Sequence, residues 1–311
     1  MASDENTDTI SDYLESSKFY TQTDDSLKDE DNAAWIMELP EYEIKKWVSV
    51  LHWVRLADRL LEWDRLQMDK SVLKFSKFLM NWKNLRIGEN FADSEHAKLF
   101  EELSFLWKDQ SLNNEDLEVW DLYLESLELY TRPGIVIHDM QEYETALYGL
   151  SGTFFLAFPE GPRKYKKEIG VLGTLDQFYN NLRDLYEDSV RGLYYFPETL
   201  LEQFGIKRGE LSRLVVEPDE RFVRMNEFLL ESFAGKLKAS VAHMVTDENL
   251  PASWQIMIKN NFKRYARIEN VFRKVGYNSL EFSMVYWDHV RVDIDPKIRE
   301  KFRNFKSTLK I

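Results

Sequence analysis

The chain has no cysteine, which excludes disulfides, thiolate nucleophiles and zinc–cysteine centres together. Glycine and proline are scarce, 12 and 8 among 311 residues, so few positions can break a regular element. Bases are outnumbered, 41 Lys and Arg against 54 Asp and Glu, for a net charge of −13. That deficit argues against nucleic acid as a partner and against charge-driven docking on anionic lipid. No run of about 18 apolar residues occurs, so no transmembrane helix is expected. The opening segment MASDENTDTISDYLES has no apolar stretch of the secretory kind, which makes a cytoplasmic location the expectation. Neither a P-loop nor a dinucleotide-binding glycine loop is visible. The five histidines lack zinc-binding spacing and read as structural or surface residues.

What remains is a strongly helical pattern. Residues 1–32 hold ten acids and two lysines, and read as an acidic leader that stays solvated. From Ala33 onward apolar residues recur at three and four, as in Trp47, Leu51 and Val54, with Asp58 next on the same stripe and Leu61 after it. The pattern predicts helices near 41–66, 69–87, 94–109, 114–131, 136–157, 164–192, 197–204, 219–246, 251–276, 278–290 and 296–308. Breaks fall at Arg132-Pro133-Gly134, at Pro159-Glu160-Gly161-Pro162, and before Pro197, Pro218 and Pro251. No linker rich in Gly, Ser or Pro divides residues 33–311, so a single all-α domain is expected. Aromatic residues make up 14% of the chain, enough for a bulky core or for a ring-lined cavity.

Three stretches carry candidate chemistry. In Gln177-Phe178-Tyr179-Asn180-Asn181-Leu182-Arg183-Asp184-Leu185-Tyr186-Glu187-Asp188, helical spacing places Gln177, Asn180, Asp184 and Asp188 on one face. Two carboxylates at i and i+4 repel unless a cation lies between them, and Mg²⁺ prefers such oxygen ligands. The same row also fits a solvated acidic stripe. In Arg55-Leu56-Ala57-Asp58-Arg59-Leu60-Leu61-Glu62, Asp58 and Glu62 repeat the spacing, and Arg55 lies one turn earlier, placed to fork a phosphate or to form an ordinary surface ion pair. Tyr143 to Thr153 includes Gly149 and Gly152, a thin helix surface that suits close packing or a ligand.

In this order and spacing the stretches resemble the squalene/phytoene synthase family of head-to-head prenyl transferases, over about Ala34 to Tyr277. The most specific part is Gln177 to Pro197, which supplies Gln177, Asn180, Arg183, Asp184, Glu187, Asp188, Arg191, Gly192 and Pro197 of the family pattern. Leu39-Pro40, Arg55-x-x-Asp58, and Tyr143 with Gly149 and Gly152 are similar to the family as well.

The resemblance implies an isoprenoid synthase-like helical bundle around a central cavity. It implies Mg²⁺ held by Asp58, Glu62, Asp184 and Asp188, with Gln177 and Asn180 beside the metal-bound group. Arg55, Arg183, Arg191 and Tyr143 would serve the reacting diphosphate and cation. Substrates would be farnesyl or geranylgeranyl diphosphate, joined head to head with loss of diphosphate, with NADPH as a possible reductant. Greasy products would favour a peripheral membrane contact. The chain departs from the family at Glu62, where Asp is usual, and at Asp29-Glu30-Asp31-Asn32, where a basic residue is usual. These departures touch diphosphate contacts, so two further expectations stand beside the first: an enzyme using one prenyl diphosphate (a terpene cyclase or diphosphatase), or a non-catalytic binding or assembly protein.

Overall fold

A computed structural model describes residues 25–66, 74–86, 114–132 and 134–308. The helix expected at 94–109 lies outside the described residues. Every regular element among the described residues is helical. In chain order they are α1 (Asp25–Ala33), a 3₁₀ turn (Ala34–Glu38), α2 (Glu41–Leu66), α3 (Lys74–Arg86) and α4 (Asn114–Tyr130). Next come α5 (Met140–Leu147), a π turn (Tyr148–Gly152) and α6 (Thr153–Leu156), then α7 (Lys166–Arg183), α8 (Leu185–Val190), α9 (Glu198–Gln203) and α10 (Leu211–Leu214). The last third holds α11 (Glu220–Phe228), a second π turn (Leu229–Ala234), α12 (Gly235–Val245), α13 (Ala252–Lys274), α14 (Ser279–Asp293) and α15 (Pro296–Thr308).

Local chemistry sets many of these ends. Asp139, Asp219 and Asn278 cap α5, α11 and α14 with their side-chain oxygens. Pro251 precedes α13 and Pro296 opens α15, positions where a missing N–H costs nothing. Gly192 closes α8 with φ +73°, and the Leu193 N–H bonds back to the Asp188 carbonyl, a left-handed helix stop.

Two hydrophobic cores stack along the bundle. The first joins the 3₁₀ turn, α2, α3, α4 and the start of α13, with Trp53 and Trp120 ring centroids 4.0 Å apart and Trp47 against Trp35, Phe158 and Trp254. The second joins α5, α9, α11 and α14. Helix α7 crosses both, giving Ile169 and Leu172 to the first, and Leu175, Phe178, Tyr179 and Leu182 to the second. Helix α13 does the same with Trp254, Met257 and Ile258, then Tyr265, Ile268, Val271 and Phe272. The glycines permit the close approach that positions α7. A Cβ on Gly173 would lie 2.7 Å from the Gly152 Cα and the Ser151 carbonyl, and one on Gly149 would lie 2.2 Å from Ser126 Oγ. The thin surface around Gly149 and Gly152 therefore serves packing.

The acidic leader expected at 1–32 is helical in its described part. Residues 25–32 belong to α1, whose Leu27 is buried in the second core and whose Glu30 and Asp31 are buried beneath arginines from other helices. Asp31 accepts from Arg183 at 3.2 Å, from Arg267, and from the Tyr286 hydroxyl at 2.9 Å. Glu30 accepts from Arg299 and Arg303 of α15. Composition alone reads such a run as solvated. Here its charges are cancelled by partners more than 150 residues away in sequence.

Candidate active site

A cavity of about 230 Å³ opens beside the first core. Its body is apolar, with Trp35, Leu150, Phe154, Phe155, Phe158 and Met257 among its walls, and Phe302 and Phe305 reaching it from α15. Its polar end is built by α1, α2, α7 and α13, which bring Asp29, Arg55, Asp58, Asp176, Gln177, Asn180, Asn261 and Arg264 together. This end lies where α7 and α13 pass from one core to the other, so buried polar groups must be satisfied there by one another.

They largely are. Asp176 Oδ1 accepts from Arg264 Nη2 and, at 2.8 Å, from the Tyr265 hydroxyl; its Oδ2 accepts from Asn180 Nδ2 at 3.1 Å. Asn32 Oδ1 accepts from Arg183 Nη1 at 2.6 Å and from Arg264 Nη1. Gln177 Nε2 donates to Asn181 Oδ1 at 2.8 Å. Arg55 Nε lies 3.5 Å from Asp29 Oδ1. Burial would pull the Arg264 pKa down, but Asp176 and Asp31 outweigh it and hold the guanidinium charged. Of the carboxylates facing this cavity, Asp29 and Asp176 therefore already have cations of the chain's own.

The residues singled out from sequence divide into groups. Arg55, Asp58, Gln177 and Asn180 line the cavity, the first two from α2 and the others from α7. Asp184 and Asp188 do not line it. α7 ends at Arg183, Asp184 sits at φ −93°, ψ 4°, and α8 restarts at Leu185, yet helical bonding runs through this kink: the Asp184 N–H donates to the Asn180 carbonyl and the Asp188 N–H to the Asp184 carbonyl, each at 2.9 Å. Arg183 grips the carboxylate at the kink, Nε to Oδ1 at 2.9 Å and Nη2 to Oδ2 at 3.0 Å. Lys28 Nζ of α1 lies 3.3 Å from Asp184 Oδ1 and 2.7 Å from Glu187 Oε2. Burial would lower the Lys28 pKa, yet Asp184 and Glu187 raise it above the ordinary lysine value. Burial acts to raise the Asp184 pKa, but Arg183 and Lys28 hold it well below the usual carboxylate range. Asp188 goes the other way, pushed up to about 7 by burial and then by Asp184.

Tyr143 is buried in the second core against Phe233, not on the cavity, and burial raises its pKa although Asn181 works against that. Arg191 is exposed at the end of α8. The Glu62 side chain lies outside the described residues. Sequence reasoning missed Asp29, Asn32, Asp176, Asn261 and Arg264. For Asp176 a signal existed, since it stands four residues before Asn180 on the same helix; Arg264 and Asn261 carried none that a single sequence exposes.

Whether these residues suit Mg²⁺ can be tested on their donors. Mg²⁺ takes octahedral oxygen ligands at about 2.0–2.1 Å, one or two of them carboxylates with open lone pairs and the rest water or phosphate. Among the described residues no three of His, Asp or Glu gather in a metal-binding group. Both oxygens of Asp184 already accept from Arg183, and Lys28 stands against one of them. The second acidic motif, as folded, does not fit the metal.

The architecture is an all-helical bundle with a cavity lined by rings. Among solved structures it is similar to a dehydrosqualene synthase in complex with ligand, with a TM-score of 0.66 and 16% identity over 91% of this chain and 98% of that one. It is also similar to squalene synthase HpnC from Alicyclobacillus acidocaldarius, with a TM-score of 0.60 and 15% identity over 82% of this chain and 97% of that one. A third likeness is to YisP from Bacillus subtilis, with a TM-score of 0.50, 15% identity and coverage of 88% and 100%. No family profile matches the sequence, and no curated protein does. At such identities the likeness establishes the fold, a squalene synthase-like one.

Proposed function

We propose that the protein binds one prenyl chain in the aromatic cavity, with an uncharged polar end at the Arg55–Asp58–Asp176 mouth. The observation that carries this reading is the charge state of that mouth. Asp29, Asp58 and Asp176 face Arg55 and Arg264, and both arginines are already paired with carboxylates. A diphosphate entering there meets net negative charge, whereas a hydroxyl meets amides and satisfied ion pairs. The apolar body supplies the affinity, at about 25 cal/mol per Å² of apolar surface buried.

A second reading is favoured by the fold likeness to dehydrosqualene and squalene synthases. It is the Mg²⁺-dependent head-to-head joining of two prenyl diphosphates, with or without NADPH. Purified protein incubated with farnesyl or geranylgeranyl diphosphate, Mg²⁺ and NADPH separates the readings. A C30 or C40 hydrocarbon establishes the second. A C15 or C20 alcohol or cyclic hydrocarbon establishes a single-substrate prenyl diphosphate enzyme. The proposed reading expects no diphosphate release, together with saturable binding of farnesol that exceeds binding of farnesyl diphosphate with or without Mg²⁺.

A further inference from the structure

We propose that the ammonium of Lys28 is the resident cation of the Asp184–Glu187–Asp188 motif, so that this motif takes no divalent metal. Three carboxylates within five residues need positive charge among them. Lys28 Nζ supplies it at 3.3 Å from Asp184 and 2.7 Å from Glu187, and Arg183 completes the shell of Asp184 with two hydrogen bonds. A divalent ion bound through Asp184 would have to take oxygens that Arg183 and Lys28 already hold, against the charge of the ammonium already there.

Lys28 is not a mobile surface lysine that steps aside. It rides on α1, and that helix is fixed on both sides of it. Leu27 is buried in the second core. Asp31 is held by Arg183, Arg267 and Tyr286, and Glu30 by Arg299 and Arg303. The contacts of α1 thus fix the backbone from which Lys28 reaches the motif, and its side chain is largely buried there. The inference does not depend on what fills the cavity, because the cavity lining excludes Lys28, Asp184 and Asp188.

The test is a Mn²⁺ titration read by electron paramagnetic resonance of the free ion, on wild type, Asp184→Asn, Lys28→Met and the double variant. Wild type and Asp184→Asn should bind Mn²⁺ identically. Lys28→Met should gain one Mn²⁺ site, and the double variant should lose it. A wild-type site that Asp184→Asn abolishes overturns the proposal, as does a folded Lys28→Met protein that gains no Asp184-dependent site. Should Lys28→Met fail to fold, wild type against Asp184→Asn decides alone: equal binding supports the proposal and a loss overturns it. Neither result depends on prenyl binding, so failure here is separable from failure of the cavity reading.

Discussion

Asp176 and Arg264 form the pair on which the polar end of the cavity rests, with Arg264 only 3% exposed at its side chain. Removing one member of such a pair leaves a buried charge uncompensated, which typically costs about 3–5 kcal/mol. Arg264→Met should therefore lower unfolding free energy by about that much in urea titration. Adding Asp176→Asn should recover part of the loss, because the stranded carboxylate is gone and the two sites are coupled. Simple additivity of the two substitutions would refute the pairing. At the second motif, the titration of Asp188 gives a pH signature. Its folded pKa, about 7, lies above the unfolded value of about 3.9, so between these the folded state binds more protons. Stability should fall as pH rises from about 4 through 7, and Asp188→Asn should flatten the slope in melts across that range. Asp184, with its pKa depressed, acts in the opposite sense but only below about pH 4, where its stabilising ionisation is lost. These roles were legible in part. Helical spacing set Gln177, Asn180, Asp184 and Asp188 in one row, and the cavity takes only the first two of them. What spacing could not show is that Asp184 is met by Lys28, 156 residues distant and beyond any local rule.

Among the elements, α2, α4, α13 and α15 follow the periodicity of the sequence closely, since their apolar stripes and end signals agree. Two departures have a common physical cause. The π turn at Tyr148–Gly152 interrupts the helix expected at 136–157 where Gly152 meets Gly173 backbone to backbone. Helix α1 arises where composition indicates solvation, because tertiary ion pairs override a local surplus of acid. The docking of α15 should depend on α1 accordingly. Glu30 is buried and accepts from Arg299 and Arg303, and hydrogen bonds to a charged group contribute about 1.5–3 kcal/mol. Glu30→Gln should raise hydrogen exchange in Pro296–Thr308 by an opening free energy of about that size, while amides of α7 keep their protection. Unchanged exchange in α15 would show that Phe302 packing alone anchors it.

For the whole molecule, the two cores and the polar seam between them explain how an acidic chain keeps a buried charge network. Each arginine of the seam answers a carboxylate from a distant helix, so the cavity mouth is held open by salt bridges and its body by rings. Binding should then be separable from folding. Val54 lines the cavity from α2 and is only half-buried, so a larger side chain there enters the cavity more than it crowds the core. Val54→Trp should abolish saturable farnesol binding while moving the thermal midpoint by no more than the few degrees that about 1 kcal/mol represents in a chain of this size. Retained binding in a folded Val54→Trp protein would place the prenyl chain elsewhere. Loss of binding with an intact melt would locate it in the ring-lined body, and would leave the charges at its mouth to decide which head group is admitted.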